Sequence, residues 1–312
     1  MPYPTVDEIK EHYKRRNLQA LFALSVQCHK YVMQETEHAM EFSGYSMRHR
    51  RGSNKDGVRP IKMDLFIEDD FAGWSGSVVN YLGTPHPTAD AQFCFDQRRL
   101  VYTMQQSVGA YLDLVAEQQA ARKIAGEFFQ GIVGQIFACQ YAISSGTIAF
   151  DIKEAEGLSE EVKAAIDECS DDKRLKLSFD QLVRPANHNI KDNMDLTPPC
   201  VVVGVKTTTK DRGIMFYVDK FFYQQTHNHR PKFIAVVLND VQRKRSKAGI
   251  TTGLSYTFLG GHNRLYRYLL GPLDAYYFID PPPPALREMD DPGSNMKTID
   301  HMINHDLPQW LG

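Results

Sequence analysis

Apolar residues recur at helical spacing near the start of the chain. Leu18, Leu21 and Phe22 mark one face of this pattern. The spacing predicts a helix over residues 6–43 that ends at Gly44, because glycine commonly follows the last turn of a helix. The first part of the chain is therefore predicted to be mainly helical.

A longer helical pattern covers residues 98–143, where Val108 and Leu112 lie on one apolar face. The stretch between the two helical patterns is different. Residues 47–62 are basic with glycines in the middle, and they predict a loop. Residues 70–92 are punctuated by glycine and proline, and they predict irregular structure.

Short apolar runs typical of buried strands dominate the second half. The predicted strands are GTIAFDIK (146–153), LVRPANHNIKDNMDL (182–196), CVVVGVKTT (200–208), KFIAVVLND (232–240), GLSYTFL (253–259) and DAYYFID (274–280), with PPPP (281–284) closing the fold. Helices are predicted at LSEEVKAAIDE (158–168) and KDRGIMFYVDKFFYQQ (210–225). In the second helix the residues predicted to face the sheet are Ile214, Val218, Phe221 and Phe222. The pattern indicates an α/β core with a helical cover.

Composition narrows the class of protein. The 312 residues are 42% apolar and 24% charged, with a net charge of −2, the balance of an ordinary globular protein. Five cysteines without a CxxC pair, and no apolar run of signal or membrane length, predict a reduced, cytoplasmic protein without membrane contact. No GxxxxGK[ST] phosphate loop is present, so we expect no use of ATP.

The strand CVVVGVK ends in Lys206, an unusual residue at the end of a buried strand. A lysine there is costly unless it meets an anion or a carboxylate. Lys206 shares a strand face with Gly204, which is expected to leave space beside the amine. In the next predicted helix, Arg212 and Asp219 lie two turns apart on one face. A lysine, an arginine and an aspartate are thus expected to converge at one sheet edge.

A second carboxylate precedes this strand. Asp195 and Asp192 are the alternatives, and Asp195 is preferred because apolar residues flank it. Two carboxylates and a lysine suit metal-assisted hydrolysis of a phosphodiester, since carboxylate oxygens hold Mg²⁺ and the metal activates water. The sequence therefore indicates nuclease chemistry.

The segment GVKTTTKDR resembles the catalytic strand-to-helix segment of type II restriction endonucleases with the PD-(D/E)xK nuclease fold. In the branch that cuts CC-GG-type sites, a K-T-T-x-K-D-R run follows the catalytic strand. That branch also moves the second acid from the strand to the next helix. Here Gly204 stands at the usual position of the acid, and Asp219 stands at the migrated one. The resemblance is specific over residues 201–222.

The resemblance implies a PD-(D/E)xK core with a mixed central β-sheet flanked by helices, and Mg²⁺ as cofactor. It implies that Lys206 is catalytic, that Asp219 binds metal with Asp195 or Asp192, and that Arg212 supports the site or contacts phosphate. Such nucleases often carry a glutamate on a helix leading into the core, and Glu127 matches that position.

The resemblance also implies double-stranded DNA as substrate and a homodimer, or a tetramer, as the assembly. Residues 1–105 would form a helical cover, dimerisation or DNA-contacting region and residues 106–312 the nuclease core, or both would form one compact domain. The alternatives are a repair or recombination nuclease of the same fold and a non-catalytic DNA-binding protein. The basic residues expected to contact DNA are Arg48, Arg50, Arg51, Lys210, Arg243, Lys244, Arg245 and Lys247.

Overall fold

Helices dominate the first half of the protein. The structure, a computed structural model, describes residues 3–15, 17–52, 59–151, 159–161, 163–164, 174–188, 198–208, 213–226, 230–247, 251–258 and 260–312. The first helices are α1 (Val6–Arg15), α2 (Leu18–Glu35), a 3₁₀ helix (Phe71–Gly76), α3 (Val78–Gly83), α4 (Ala91–Val115) and α5 (Gln118–Ala138). The helical prediction for residues 98–143 is confirmed up to Ala138, whereas residues 70–92, predicted to be irregular, contain the two short helices.

The region after α2 is a β-hairpin and not a continuation of the helix. Strands β1 (Thr36–Phe42) and β2 (Tyr45–Arg50) pair antiparallel, and β3 (Ile61–Lys62) pairs with β2. Ser43 and Gly44 connect the strands with φ values of 50° and 79°. Positive φ at both central residues is the geometry of a tight hairpin turn. The predictions of helix over 36–43 and of loop over 47–50 were therefore wrong, because Gly44 lies in the turn of a hairpin.

The second half is built around a mixed six-stranded sheet. Its strands, with the separate pair β8–β9, are β4 (Tyr141–Asp151), β5 (Arg174–Pro185), β6 (Val201–Lys206), β7 (Lys232–Val237), β8 (Val241–Arg245), β9 (Thr251–Tyr256), β10 (Ala275–Phe278) and β11 (Met296–Thr298). The order in the sheet is β11-β10-β7-β6-β5-β4. Strands β6, β7, β10 and β11 are parallel, and β5 is antiparallel to both of its neighbours. The mixed central sheet predicted from the sequence is therefore present.

Helices follow the strands of this half. They are α6 (Gly213–Thr226), α7 (Gly260–Leu270), α8 (Pro283–Met289) and a final helical segment over residues 299–311. The proline run was expected to close the fold, but α8 begins within it and β11 adds an edge strand after it. Strand β5 also lies earlier than the predicted segment 182–196.

Apolar side chains cover both faces of the sheet. Along β6, Val201, Val203 and Val205 pack with the N-terminal helices, and Val202 packs with α6 on the other face. This alternation follows from the two-residue period of a strand. The core on the first face contains residues from before and after position 105, which lies inside α4. None of the described helices has the length and apolar character needed to cross a lipid bilayer.

Helix α6 packs on the sheet through a face other than the one predicted. Phe216, Tyr217 and Tyr223 are buried, whereas Ile214 and Phe222 are exposed. The absence of a side chain at position 204 permits this orientation, because a Cβ on Gly204 would lie 2.2 Å from Cε1 of Phe216. Gly204 therefore accommodates the Phe216 ring and does not leave space beside the lysine amine.

Candidate active site

Lys206 is the last residue of β6, and it meets a carboxylate as its position predicted. Its Nζ lies 2.6 Å from Oδ2 of Asp180, and both side chains are mostly buried. Asp180 belongs to β5, the antiparallel neighbour of β6. Gln181 pairs with Val203, so this antiparallel register places Asp180 opposite Gly204, on the strand face that also carries Lys206. Strand pairing thus brings the two residues together.

The Asp180 carboxylate is held from three directions. Oδ2 accepts hydrogen bonds from Lys206 Nζ at 2.6 Å and from the Val205 backbone N–H at 2.7 Å. Oδ1 accepts a hydrogen bond from Gln130 Nε2 on α5 at 2.8 Å. Two strands and one helix therefore fix the orientation of this carboxylate.

Asp219 on α6 completes the cluster. Burial raises the pKa of its carboxyl group, the charge of Lys206 opposes that rise, and the negative charge of Asp180 adds to it. Asp219 is thus close enough to interact electrostatically with both residues. Among the described residues, Lys206 and Asp180 are thus the charged groups that act on the Asp219 carboxyl group.

The donor set fits a hard divalent cation. Asp180 and Asp219 offer carboxylate oxygens, which Mg²⁺ prefers, and Mg²⁺ is usually bound by one or two carboxylates together with waters and substrate phosphates. No group of three or more His, Cys, Asp or Glu side chains with metal-binding geometry occurs among the described residues. Asp180 and Asp219 would therefore hold such a cation together with waters and substrate phosphates.

Asp180 was missed by the sequence interpretation. The search for the first acid concentrated on residues after Arg184-Pro185, whereas Asp180 precedes them in the strand segment FDQLV. The signal available in the sequence was Asp180 itself, a charged residue within an apolar segment that comes before the strand carrying Lys206. The predicted residues Asp192, Asp195, Lys210 and Arg212 lie outside the described residues, and their roles stay predictions.

Helix α5 supports the site through a glutamine. Gln130 binds Asp180, and its own backbone carbonyl accepts a hydrogen bond from Gln181 Nε2 at 2.5 Å. Gly134 allows this approach, because a Cβ there would lie 2.7 Å from the same nitrogen. Glu127 is partly buried one helical turn before Gln130, on the same side of α5. Its predicted role is consistent with this placement and stays a prediction.

A hydrogen bond links the basic hairpin β8–β9 to the segment that follows Lys206. Gln242 on β8 donates from Nε2 to Oγ1 of Thr208 at 3.3 Å, two residues after Lys206. On the same hairpin, Lys244 and Arg245 are exposed. Arg243 lies on the same strand and Lys247 follows it, and the contacts of these four basic residues with DNA stay a prediction.

The other predicted basic stretch has a different environment. Arg48 is buried, with Nε donating to Thr36 Oγ1 at 3.0 Å and Nη1 to Glu68 Oε1 at 2.9 Å. These bonds favour a structural role in the N-terminal sheet. Arg50 and Arg51 are exposed and bind backbone carbonyl oxygens at the ends of α4 and α2.

Comparison with known proteins identifies the fold. No protein-family model matches the sequence, and no curated protein matches it. The crystal structure of the Type IIP restriction endonuclease Kpn2I is similar, with a TM-score of 0.67 over 96% of this chain and 93% of that chain, at 17% sequence identity. At this identity the likeness concerns the fold. The mixed sheet, the flanking helices and the acidic cluster at the strand ends thus belong to a chain with the fold of a type II restriction endonuclease.

Proposed function

We propose that this chain is a type II restriction endonuclease that cleaves double-stranded DNA at specific sites with Mg²⁺. The observation that carries the proposal is the Asp180–Lys206–Asp219 cluster at the strand ends of a restriction-endonuclease fold. A lysine between two carboxylates at a sheet edge has the elements of metal-assisted phosphodiester hydrolysis.

Asp180 and Asp219 would hold the cation through their carboxylate oxygens, with Asp180 kept in place by Gln130 and the Val205 N–H. When bound, Mg²⁺ polarises the scissile phosphate and lowers the pKa of a coordinated water. The raised pKa of Asp219, caused by burial and by the charge of Asp180, supports this assignment, since a bound cation would favour the ionised carboxylate.

Lys206 orients the attacking water and stabilises charge that develops on the phosphate oxygens. Its Nζ lies 2.6 Å from Oδ2 of Asp180, so the amine is held beside one of the proposed metal ligands. Water attacks phosphorus in line and the bond to the 3′ oxygen breaks, which leaves a 5′-phosphate and a 3′-hydroxyl. Arg212 is proposed to contact the phosphate or support the site.

The basic hairpin β8–β9 is proposed to bind DNA near the Asp180–Lys206–Asp219 cluster. Lys244, Arg245 and Lys247 are exposed there and would supply salt-sensitive contacts with phosphates. A homodimer is proposed because a two-fold protein assembly matches a palindromic site and provides one active site for each strand.

Plasmid cleavage tests this function directly. With Mg²⁺, wild-type protein should give discrete fragments, and Ca²⁺ in place of Mg²⁺ should allow specific binding without cutting. Lys206→Ala should abolish cleavage and retain DNA binding, whereas Lys123→Ala, an exposed lysine of α5, should cut normally. A smear would indicate a non-specific nuclease of the same fold, and a gel shift without cuts a DNA-binding protein. Near-normal cutting by Lys206→Ala would contradict the proposal.

A further inference from the structure

Lys62 is a lysine whose ammonium group meets an aromatic ring instead of a carboxylate. It ends β3, it pairs with Tyr45 of β2, and its Nζ lies 4.8 Å from the centroid of the Tyr45 ring. Among the described residues, no carboxylate forms an ion pair with it. Lys232 is the contrast, since its Nζ lies 5.6 Å from the centroid of the Trp310 ring but also 2.9 Å from Oδ1 of Asp274. The ammonium of Lys62 thus has room for an anion from outside the chain.

Neighbouring residues hold Lys62 in place. Its backbone N–H donates to the hydroxyl of Tyr102, a buried residue of α4, at 2.7 Å. The Tyr45 hydroxyl donates in turn to Oδ2 of Asp280 at 2.7 Å. Gly44 in the hairpin turn lies close to the ammonium, because a Cβ there would lie 3.2 Å from Nζ. Lys62 is partly exposed, so a cation held in one position is accessible from solvent, and its ordering costs little on binding.

Backbone hydrogen bonds relate this lysine to the acidic cluster. The N–H of Leu238 donates to the carbonyl of Lys206 at 3.1 Å, and the carbonyl of Leu238 accepts from the N–H of Asp280 at 2.9 Å. Asp280 is therefore two strand spacings, or about 10 Å, from Lys206 along the same edge of the sheet. Tyr45 and Lys62 adjoin Asp280 there. Successive base pairs of DNA are about 3.4 Å apart, so the distance from Lys206 to Lys62 corresponds to a few base pairs.

The basic hairpin β8–β9 flanks the same place. Tyr256 of β9 interacts electrostatically with Tyr45 and with Asp280, and burial together with the charge of Asp280 raises the pKa of Tyr256. The N-terminal sheet and the hairpin thus adjoin at this edge, although they are distant in sequence. Cations on two separate elements beside one edge suit a polyanion with regularly spaced charges, and the phosphate backbone of DNA has that form.

We propose that Lys62 contacts a backbone phosphate of the DNA substrate a few base pairs from the scissile phosphate. The inference rests on the proposed function, which brings DNA to Lys206. A phosphate contact fixes the register of the duplex on the protein and carries no base information. Lys62 is therefore a positioning residue, and the N-terminal sheet borders the path of the DNA together with the hairpin β8–β9.

The salt dependence of DNA binding tests this contact. Binding of linear plasmid DNA in Ca²⁺ is measured across a KCl titration. Lys62→Met keeps an unbranched side chain over Tyr45 and removes the charge, so the slope of log K against log salt should become shallower by about 0.9, the contribution of one phosphate. Lys62→Arg should keep the wild-type slope. Lys232→Met, the other lysine over an aromatic ring, lies at the amino end of β7 and should also keep it.

An unchanged slope in Lys62→Met, or an equal change in Lys232→Met, would overturn the inference. Because the slope counts phosphates and is measured on folded protein, a purely structural role of Lys62 does not reproduce the expected result. Urea unfolding of each variant confirms that the folded protein is compared.

Lysine acetylation of the wild-type protein gives a readout that needs no variant. DNA bound in Ca²⁺ should protect Lys62 from acetylation, whereas Lys232 should react equally with and without DNA, as measured by peptide mass spectrometry. Equal acetylation of Lys62 in both states would contradict the contact. Plasmid cleavage with Mg²⁺ separates the two proposals: cleavage without protection of Lys62 refutes the contact alone, and protection without cleavage refutes the proposed nuclease alone.

Discussion

The carboxyl edge of the central sheet holds two acidic sites with different surroundings. At the end of β6, Asp180 and Asp219 share Lys206 and stay partly exposed. Two residues beyond β10, Asp280 is 3% exposed and accepts a hydrogen bond from the Tyr45 hydroxyl at 2.7 Å. The first site has an ion pair with Lys206 and access to solvent, whereas the second is buried and its hydrogen-bond donor is a neutral hydroxyl.

Burial raises the carboxyl pKa at both sites, at Asp219 in the first and at Asp280 in the second. Burial raises the pKa of Asp280 to about 7, against the opposing effects of the Tyr45 hydrogen bond and the charge of Lys62. The charge of Asp64 also raises the pKa of Asp280, and the charge of Arg98 lowers it. The charge of Asp280 in turn raises the pKa of Tyr102 and of Tyr256. The two sites therefore differ in solvent access and in the direct ion pair with Lys206, whereas Asp280 joins the N-terminal sheet to the core through the Tyr45 hydroxyl.

Asp180→Asn should have the largest effect on activity. The change removes the charge opposite Lys206 and one proposed metal ligand, so the single-turnover cleavage rate should fall by at least about 10³-fold, or about 4 kcal/mol. Asp69→Asn, an exposed acid of the N-terminal region, is the control and should cut normally. Cleavage within tenfold of wild type would exclude Asp180 from the metal site.

Asp219→Asn should have a smaller effect, at least about 10²-fold or roughly 2.7 kcal/mol of transition-state stabilisation. The substitution is nearly isosteric, so the fold should be retained. The measurement is single-turnover cleavage across a Mg²⁺ titration. A variant that cuts like wild type at limiting Mg²⁺ would assign the ligand to another group, with Glu127 the first to test.

Asp280→Asn should change the pH dependence of stability and leave cleavage near wild type. Because the pKa of Asp280 is raised in the folded state, its contribution to stability is complete below the ordinary value of 3.8 and is lost as pH rises through about 7. The variant cannot ionise at this position. Its free energy of unfolding relative to wild type should therefore increase between pH 5 and pH 8 by on the order of 2 kcal/mol. Urea titrations at both pH values check this, and parallel changes in both proteins would contradict it.

Tyr45→Phe should have the smallest effect of the four. It removes the hydroxyl that donates to Asp280, and a hydrogen bond to a charged group contributes roughly 1.5 kcal/mol. The loss of unfolding free energy should be greater at pH 8, where Asp280 is ionised, than at pH 5. Equal losses at the two pH values would mean that the hydroxyl acts only through packing.

The sequence by itself predicted the elements that depend on local pattern. The strand at 200–208, the helix that follows it, and the buried strands at 232–240 and 274–280 were predicted because each has its apolar pattern within one short segment. The lysine at the strand end and the acid on the next helix are also close along the chain, so spacing alone suggested that Lys206 and Asp219 would be neighbours. The structure brings them together.

Tertiary structure decided the features that depend on distant residues. Asp180 reaches Lys206 because β5 pairs with β6, which local sequence does not specify. The buried face of α6 depends on the contact between Phe216 and Gly204, and the hairpin after α2 depends on its pairing across Gly44. In each case helix or strand propensity is a weak preference, and the free energy of packing or pairing against another element overrides it.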